Sequence, residues 1–337
     1  MKLARAALLE QQLTLPFRAP RTMFNVRIGG ARRVAAQSWS LDRIRAVNSA
    51  AGVTVNDVVL AMSSGALRAY LIEQNALPDD PLTAMVPVNL RKGDDDRGGN
   101  MVRTVLCNLA TDLDDTAKRL EIISTSIRDT KEVFQQLPPV QQLALSAFNI
   151  GGLFFGLIPG YLSTASPPFN IVISNVSAGP SEPLYWRGAR LHGNYPLSIP
   201  LDGQAVNITV TNNADNLDFG LVGCRRSVPH LQRLLGHLEA SLKDLECAVG
   251  VWGMGASPAA RSIRLFQNEE RDLPRGLLLV FGVRREGFDG EPPPLLSLRS
   301  LDLACRNGDN LIAILQRQRW ISLYVEVPRG VRRSTAF

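Results

Sequence analysis

Polar side chains interrupt apolar runs that the sequence predicts to be buried strands. Ser174 and Asn175 end one such run, and Asn207 lies within another. A hydroxyl or amide buried without a hydrogen bond costs roughly 1–3 kcal/mol, so each of these groups needs a partner or a ligand. Ser174 and Asn175, at a strand end, are therefore candidates to contact a polar ligand, with a turn of the chain as the alternative. Asn207 is expected to be a hydrogen-bonded core amide.

A second polar pair stands where the sequence predicts the start of a long helix. Thr54 has the side chain of a helix N-cap, and Asp57 stands three residues later. At this spacing each side chain can cap the backbone of the other residue. Asn56 and Asp57 then have two interpretations: they satisfy the free amides of the helix start, or they line a substrate site and orient a reacting group.

Helices and strands are predicted to mix without strict alternation. We therefore expect an α/β fold with a mixed sheet layered with helices. Residues 1–36 are interpreted as a linker and a strand, 37–249 as the main lobe, and 250–337 as an irregular tail with little order. Strands are predicted near residues 82–89, 101–110, 169–175, 183–191, 205–212 and 217–223, with helices near 41–47, 55–70, 114–136 and 228–246.

The composition argues against a nucleic-acid partner and against a metal site. The 337 residues carry a net charge of +6, but no basic stripe interleaves with aromatic residues, so a nucleic acid is not expected. The four cysteines form no CxxC pair and have no histidine at a metal-binding spacing. No metal site and no disulfide framework are expected, and a reducing cytoplasm is favoured. Residues 1–12 lack the long apolar run of a secretory signal.

One region carries no charge at all. From Val133 to Ser181 the sequence has no acidic or basic residue and no histidine. The window Leu143–Leu162 has about the length of a membrane-spanning helix, but glycines and prolines interrupt it. We expect a buried or interfacial helix followed by a core strand, with a true membrane span as the alternative.

Several short blocks occur in an order that resembles the C-terminal half of the wax ester synthase/diacylglycerol acyltransferase family. One block is weak on its own, but their shared order over residues 15–248 is fairly specific. The blocks are Ala19-Pro20-Arg21-Thr22, Arg32-Arg33-Val34-Ala35, Val55–Ala61, Met85–Arg91, Gly99-Asn100, Ser174-Asn175-Val176, Gly179-Pro180, Tyr195-Pro196 and Gly203–Ile208.

This resemblance implies a lobe of the chloramphenicol-acetyltransferase type. It implies acyl-CoA as a co-substrate rather than a bound cofactor, and a diacylglycerol or fatty alcohol as the acceptor in storage-lipid synthesis. Asn56 and Asp57 would line the tunnel, and Ser174 and Asn175 would contact the pantetheine arm. The protein would be cytoplasmic, with peripheral contact to the inner membrane face or to lipid inclusions.

The catalytic base of the family has no counterpart in this sequence. Members of the family use a His-His-x-x-x-Asp-Gly motif, whose neutral imidazole is a suitable base for an attacking hydroxyl. The three histidines here are His192, His230 and His237, and none has a neighbouring histidine or an Asp four residues later. His192, near a predicted strand end, is kept as a candidate substitute base. His230 and His237 are predicted to share one face of the last helix.

Two functions remain open from the sequence. The chain could supply one lobe of an acyltransferase while a separate chain supplies the histidine lobe. Alternatively, it is a non-catalytic remnant or a lipid-binding scaffold at a membrane surface, which its charge-free region and its missing base would suit. In either case we expect proton abstraction to depend on groups outside this sequence.

Overall fold

The computed structural model describes residue 14 and residues 16–89, 102–151, 158, 160–176, 182–186 and 189–251, together with the backbone of residues 278–285 and 321–326. Ten strands occur in these ranges: β1 Arg32–Ser40, β2 Thr83–Asn89, β3 Val102–Asn108, β4 Ile171–Val176, β5 Tyr185–Trp186, β6 Ala189–Leu197, β7 Val206–Asn213, β8 Asn216–Cys224, β9 Leu278–Arg285 and β10 Ile321–Glu326. The helices in the same ranges are α1 Leu41–Ala51, α2 Val55–Glu73, α3 Thr116–Gln136, α4 Pro139–Gly151, α5 Tyr161–Thr164 and α6 Arg233–Ala248.

The main sheet is mixed, as predicted. Its six described strands lie in the order β1-β8-β7-β4-β2-β3. The pairs β7/β4 and β4/β2 are parallel, and the other neighbours are antiparallel. A second described sheet has the order β10-β9-β6-β5, in which β6 pairs antiparallel with β9.

The strands β7 and β8 form a hairpin. Their ladder ends at the pair Asn213 and Asn216, so Ala214 and Asp215 make a two-residue turn. Ala214 has φ of 50°, the positive value that tight hairpin turns require. The carbonyl of Asp215 accepts from Leu41 N at 2.8 Å, which ties the turn to the first residue of α1.

Helix α2 is the centre of the hydrophobic core. It packs against the helices α1, α3 and α6, and its buried residues belong to the same core cluster as residues of the main sheet. Its buried residues include Val58, Val59, Met62, Leu67 and Tyr70. The strand residues that meet this helical layer include Leu217, Phe219 and Leu221 of β8. One face of the sheet is therefore apolar and covered by helices.

The opposite face of the sheet is covered by β6 and α4. β6 packs across β7 and β8, and α4 packs against β3. Because strand side chains alternate, Asp218 and Gly220 point to this second face. The backbone of β6 approaches so closely that a Cβ atom on Gly220 would collide with the carbonyl oxygen of Pro196.

Several predicted boundaries differ from those observed. The predicted strand at 183–191 is the short β5 followed by the longer β6. The last helix begins at Arg233, so His230 lies before it, in a turn with φ of 52°, and does not share a helix face with His237. The spacing of apolar residues in the sequence does not show that His230 has a positive φ. The expected boundary between residues 36 and 37 falls inside β1.

Other predictions fall mostly or partly outside the described residues. Of the tail at 250–337, the structure describes residues 250 and 251 and two strands, β9 and β10, near the apolar runs of that region. The window Leu143–Leu162 is described only in part. Within the described residues no single helix is long and apolar enough to cross a membrane; α1 and α2 pass such a test together but meet at a bend of 103°.

We expect Gly220→Ala to destabilise the protein by roughly 1–3 kcal/mol, because the added methyl group meets backbone that cannot rotate away. Gly236→Ala is the matched control. Gly236 lies in α6 with open space around it, so alanine should stabilise that helix by about 1 kcal/mol. Chemical denaturation of both variants measures the difference, and equal free energies of unfolding would contradict the close approach of β6.

Candidate functional site

The start of α2 carries the predicted capping box. Asp57 Oδ2 accepts from Thr54 N at 2.9 Å and from Thr54 Oγ1 at 2.8 Å. In return, Thr54 Oγ1 accepts from Asp57 N at 3.2 Å. Asp57 is only 3% exposed, whereas the N-cap residue Thr54 is exposed. The two side chains together satisfy free amides of this helix start.

The capping box leaves two polar atoms of this helix start unused. Asp57 Oδ1 and Asn56 Nδ2 are buried and have no hydrogen-bond partner among the described residues. Native proteins rarely leave buried polar atoms unpaired, and each such atom calls for an explanation. Helix capping therefore accounts for one carboxylate oxygen of Asp57, and it does not account for the second oxygen or for the amide of Asn56.

The sheet separates Ser174 from Asn175, which the sequence suggested as one pair. Asn175 lies on the same side of β4 as Ile173, facing the helical layer. Its Oδ1 atom is also buried without a partner in the described part of the chain. Ser174 points to the opposite face, where its cross-strand neighbour is Thr209. The side of the sheet that holds Asn56 and Asp57 therefore also holds Asn175.

A row of hydroxyl and amide groups lies on the face that bears Ser174. Thr209 Oγ1 donates to Asn207 Oδ1 at 2.9 Å, and it lies 3.2 Å from Ser198 Oγ. Asn207 is thus the hydrogen-bonded core amide that the sequence predicts. These contacts join β7 to the end of β6, so this row can hold a strand in place without a ligand.

The three histidines lie apart from both polar groups. His192 and His230 are exposed, and His192 stands at an irregularity in the register of β6, between Leu191 and Gly193. His237 Nε2 lies 3.0 Å from Glu73 Oε2 on the helical side. Burial lowers the pKa of His237, and the charge of Arg233 acts in the same direction. The described residues contain no group of three or more His, Cys, Asp or Glu that could hold a metal ion.

Sequence reasoning missed two groups of buried polar residues. Asn170 is fully buried, accepts from Thr83 N at 2.8 Å and donates to Asn25 Oδ1 at 2.8 Å. Asp218 is fully buried under β6. A carboxylate inside the apolar run of β8 was the available signal for Asp218. Thr83 and Asn25, which bond to Asn170, and Asn194, which bonds to Asp218, are 24 or more positions away from them in sequence, so local patterns do not reveal these contacts.

Known protein families match two parts of the chain. The family described as the WS/DGAT C-terminal domain matches residues 98–246. The family described as the wax ester synthase/diacylglycerol acyltransferase catalytic domain matches residues 1–59. The segment that contains Thr54, Asn56 and Asp57 lies within the second match.

Individual relatives give the same assignment. A protein of Mycobacterium tuberculosis named as a diacylglycerol O-acyltransferase is 69% identical over 252 residues, which cover 74% of this chain and 55% of that protein. The O-acyltransferase WSD of Acinetobacter baylyi is 48% identical over 230 residues, covering 68% and 50%. The chain spans about half the length of these curated relatives.

A solved structure supports the fold. The wax ester synthase/diacylglycerol acyltransferase from Marinobacter aquaeolei superposes with a TM-score of 0.61 at 44% identity, covering 69% of this chain and 53% of that one. The order of blocks, the mixed sheet and these matches agree. This chain therefore belongs to the wax ester synthase/diacylglycerol acyltransferase family and covers the C-terminal part of its members.

Proposed function

We propose that this chain forms the C-terminal lobe of an acyl-CoA-dependent O-acyltransferase, which esterifies a diacylglycerol or a fatty alcohol in storage-lipid synthesis. The unpaired polar atoms at the start of α2 carry this proposal. Asn56 Nδ2 and Asp57 Oδ1 are buried, and the capping box does not use them. A family whose members act on acyl groups gives these atoms a partner, because a bound thioester and a hydroxyl acceptor offer both acceptors and donors.

The reaction transfers an acyl group between two heteroatoms. A base removes the proton of the acceptor hydroxyl, the oxygen attacks the thioester carbonyl, and the carbon–sulfur bond breaks. The CoA sulfur leaves and takes the proton back, so CoA thiol and an ester are formed. We propose that the base is a histidine of a paired-histidine segment outside these 337 residues, supplied by another lobe. Acyl-CoA is then a co-substrate, and no bound cofactor is required.

In this proposal the residues of α2 bind and orient the reacting groups. The Asn56 amide donates to the thioester oxygen, which becomes negatively charged during attack. Asp57 fixes the helix start through Thr54, and its free oxygen accepts a hydrogen bond from the incoming imidazole or the acceptor. Asn175 lies on the same side of the sheet and accepts from an amide of the pantetheine arm. Ser174 is kept as a proposed contact to the ligand, although it lies on the face of the sheet opposite Asn175.

The decisive experiment combines this chain with a paired-histidine lobe of a relative and measures transfer from long-chain acyl-CoA to diacylglycerol. We expect Asn56→Ala to lower kcat/KM by about 100-fold, the cost of losing one such donor, without changing the unfolding temperature. Thr54→Ala is the control for capping, because it should destabilise the protein by about 1 kcal/mol. His192→Ala should leave transfer unchanged.

Two outcomes would contradict this assignment. If the mixture transfers no more acyl groups than either lobe alone, the chain is not a working lobe of the enzyme. If Asn56→Ala and Thr54→Ala reduce activity only in proportion to their loss of stability, α2 has a structural role alone.

We further propose that α4 brings the protein to the surface of a lipid phase on the cytoplasmic side. This helix presents polar groups to the protein: Thr104 Oγ1 donates to the carbonyl of Ser146 at 3.1 Å, and Asn149 Nδ2 donates to the carbonyl of Thr104 at 2.9 Å. Most of its exposed residues are apolar, with Val140 79% exposed and Phe148 51% exposed, and Gln141 is the polar exception among those described. A surface helix of a soluble domain ordinarily has the reverse arrangement.

Charge and redox state support the same location. The uncharged stretch from Val133 to Ser181 contains all of α4, so no charged group near it in sequence opposes contact with a neutral lipid. The described cysteines, Cys107, Cys224 and Cys247, form no disulfide, which suits a reducing compartment.

Adding charge to the outward side of α4 should weaken lipid binding. We expect Phe148→Glu to reduce binding of the protein to triacylglycerol emulsions at least tenfold, since a carboxylate must be desolvated at that surface. Gln135→Glu, an exposed position of α3, adds the same charge away from α4 and should bind like the unaltered protein. Flotation assays measure both, and equal binding of the two variants would exclude α4 as the contact.

A further inference from the structure

Strand β6 is joined to the main sheet by side chains rather than by a shared ladder. The hydroxyl groups of Tyr195 and Ser38 lie 2.9 Å apart. The backbone N–H of Asn194 donates to Asp218 Oδ2. The Pro196 carbonyl lies against the Cα of Gly220. Residues 194–196 therefore contact both β1 and β8 of the sheet beneath them.

Asp218 is at the centre of these contacts. Its side chain is fully buried, and Oδ2 also accepts from Asn213 Nδ2 at 3.0 Å. Oδ1 has no hydrogen-bond partner in the described part of the chain. Ser38 stands directly opposite on β1, and its hydroxyl lies close to the carboxyl while bonding to Tyr195. The acid thus contacts β1, β6 and β7.

No cation balances this acid among the described residues. Its described neighbours are Ser38 from β1, Asn194 and Tyr195 from β6, and Thr211 and Asn213 from β7. Of these, only Tyr195 has a titratable side chain, and both burial and the nearby acid raise the pKa of that phenol. A buried carboxylate without a cationic partner is strongly disfavoured, whereas a buried carboxylic acid with hydrogen bonds is not.

We propose that Asp218 is a positioning residue that holds β6 on the sheet as a neutral carboxylic acid. The protonated group accepts from the Asn194 amide through one oxygen and donates through the other to the hydroxyls that link Ser38 and Tyr195. The segment Tyr195-Pro196 is thereby fixed over β1 and β8, and Gly220 beneath it is the cross-strand neighbour of Thr209. This inference stands on the contacts of β6. It rests on the proposed function only where it concerns acyl transfer.

The attachment of β6 to the sheet is expected to weaken as the pH rises. Burial raises the pKa of Asp218 to about 7, although Ser38, Asn194 and Asn213 act in the opposite direction. An unfolded aspartate titrates near about 3.9. The folded state therefore binds this proton more tightly, and the resulting stability is complete below about pH 4. It is lost as the pH rises to about 7.

Hydrogen exchange of β6 tests this inference on the full chain. If opening of β6 hydrates Asp218, the opening equilibrium should rise about tenfold between pH 6 and pH 8, after correction for intrinsic exchange rates. The peptide Ala189–Leu197 reports this change. A peptide from α2, which does not contact Asp218, should show no comparable rise.

The variant Asp218→Asn supplies the matched control. An asparagine keeps the acceptor for the Asn194 amide and a donor toward Ser38, but it cannot ionise. We expect β6 in this variant to be protected equally at pH 6 and pH 8. Tyr195→Phe removes the phenolic hydroxyl and should weaken protection at both pH values. The inference is overturned if unaltered β6 shows no pH dependence, or if Asp218→Asn shows the same dependence as the unaltered protein.

Acyl transfer provides a separate readout, measured with the paired-histidine lobe. We expect Asp218→Ala to lower kcat per folded molecule and Asp218→Asn to restore it. If Asp218→Ala loses the protection of β6 but keeps full acyl transfer, the result supports Asp218 as the residue that positions β6. The same result contradicts a role of this face of the sheet in the reaction. If Asp218→Ala does not fold, the comparison of Asp218→Asn with the unaltered protein still decides the exchange test.

Discussion

The capping box at the start of helix α2 is the interaction around which this lobe is arranged. The exposed Thr54 and the buried Asp57 satisfy free amide groups at this helix start. The helix continues into the core, where it packs against α1, α3 and α6. Asn56 Nδ2 and the second oxygen of Asp57 are buried at this start without a hydrogen-bond partner among the described residues.

The sheet divides these polar residues into two sets, one on each face, that differ in their hydrogen bonding. The helical side holds Asn56, Asp57 and Asn175, whose polar atoms are incompletely paired. The opposite side holds Thr209 and Asp218, whose side chains bond to neighbouring strands. The first set has the unpaired atoms expected of a binding surface. The second set joins neighbouring strands, although Asp218 Oδ1 also has no hydrogen-bond partner among the described residues.

Local chemistry was predictable from the sequence because its causes lie within a few residues. The capping box of Thr54 and Asp57 follows from two side chains at a fixed short spacing. The order of family blocks also identified the fold. Ser174 and Asn175 were predicted to act as one pair. Strand alternation places such neighbours on opposite sides of a sheet, as the structure shows. The crossing of β6 over the sheet, which buries Asp218, depends on contacts between distant segments and leaves no local pattern.

The position of β1 in the sheet has a consequence for how the chain is made. Its partner is β8, with Ser40 opposite Asn216 and Arg32 opposite Cys224. At roughly 5–20 residues per second, a ribosome needs about 10–35 s to produce the intervening chain. During that interval the apolar residues of β1, including Trp39, lack the strand that they pair with in the folded protein. β1 can therefore join the sheet only after the ribosome has synthesised β8.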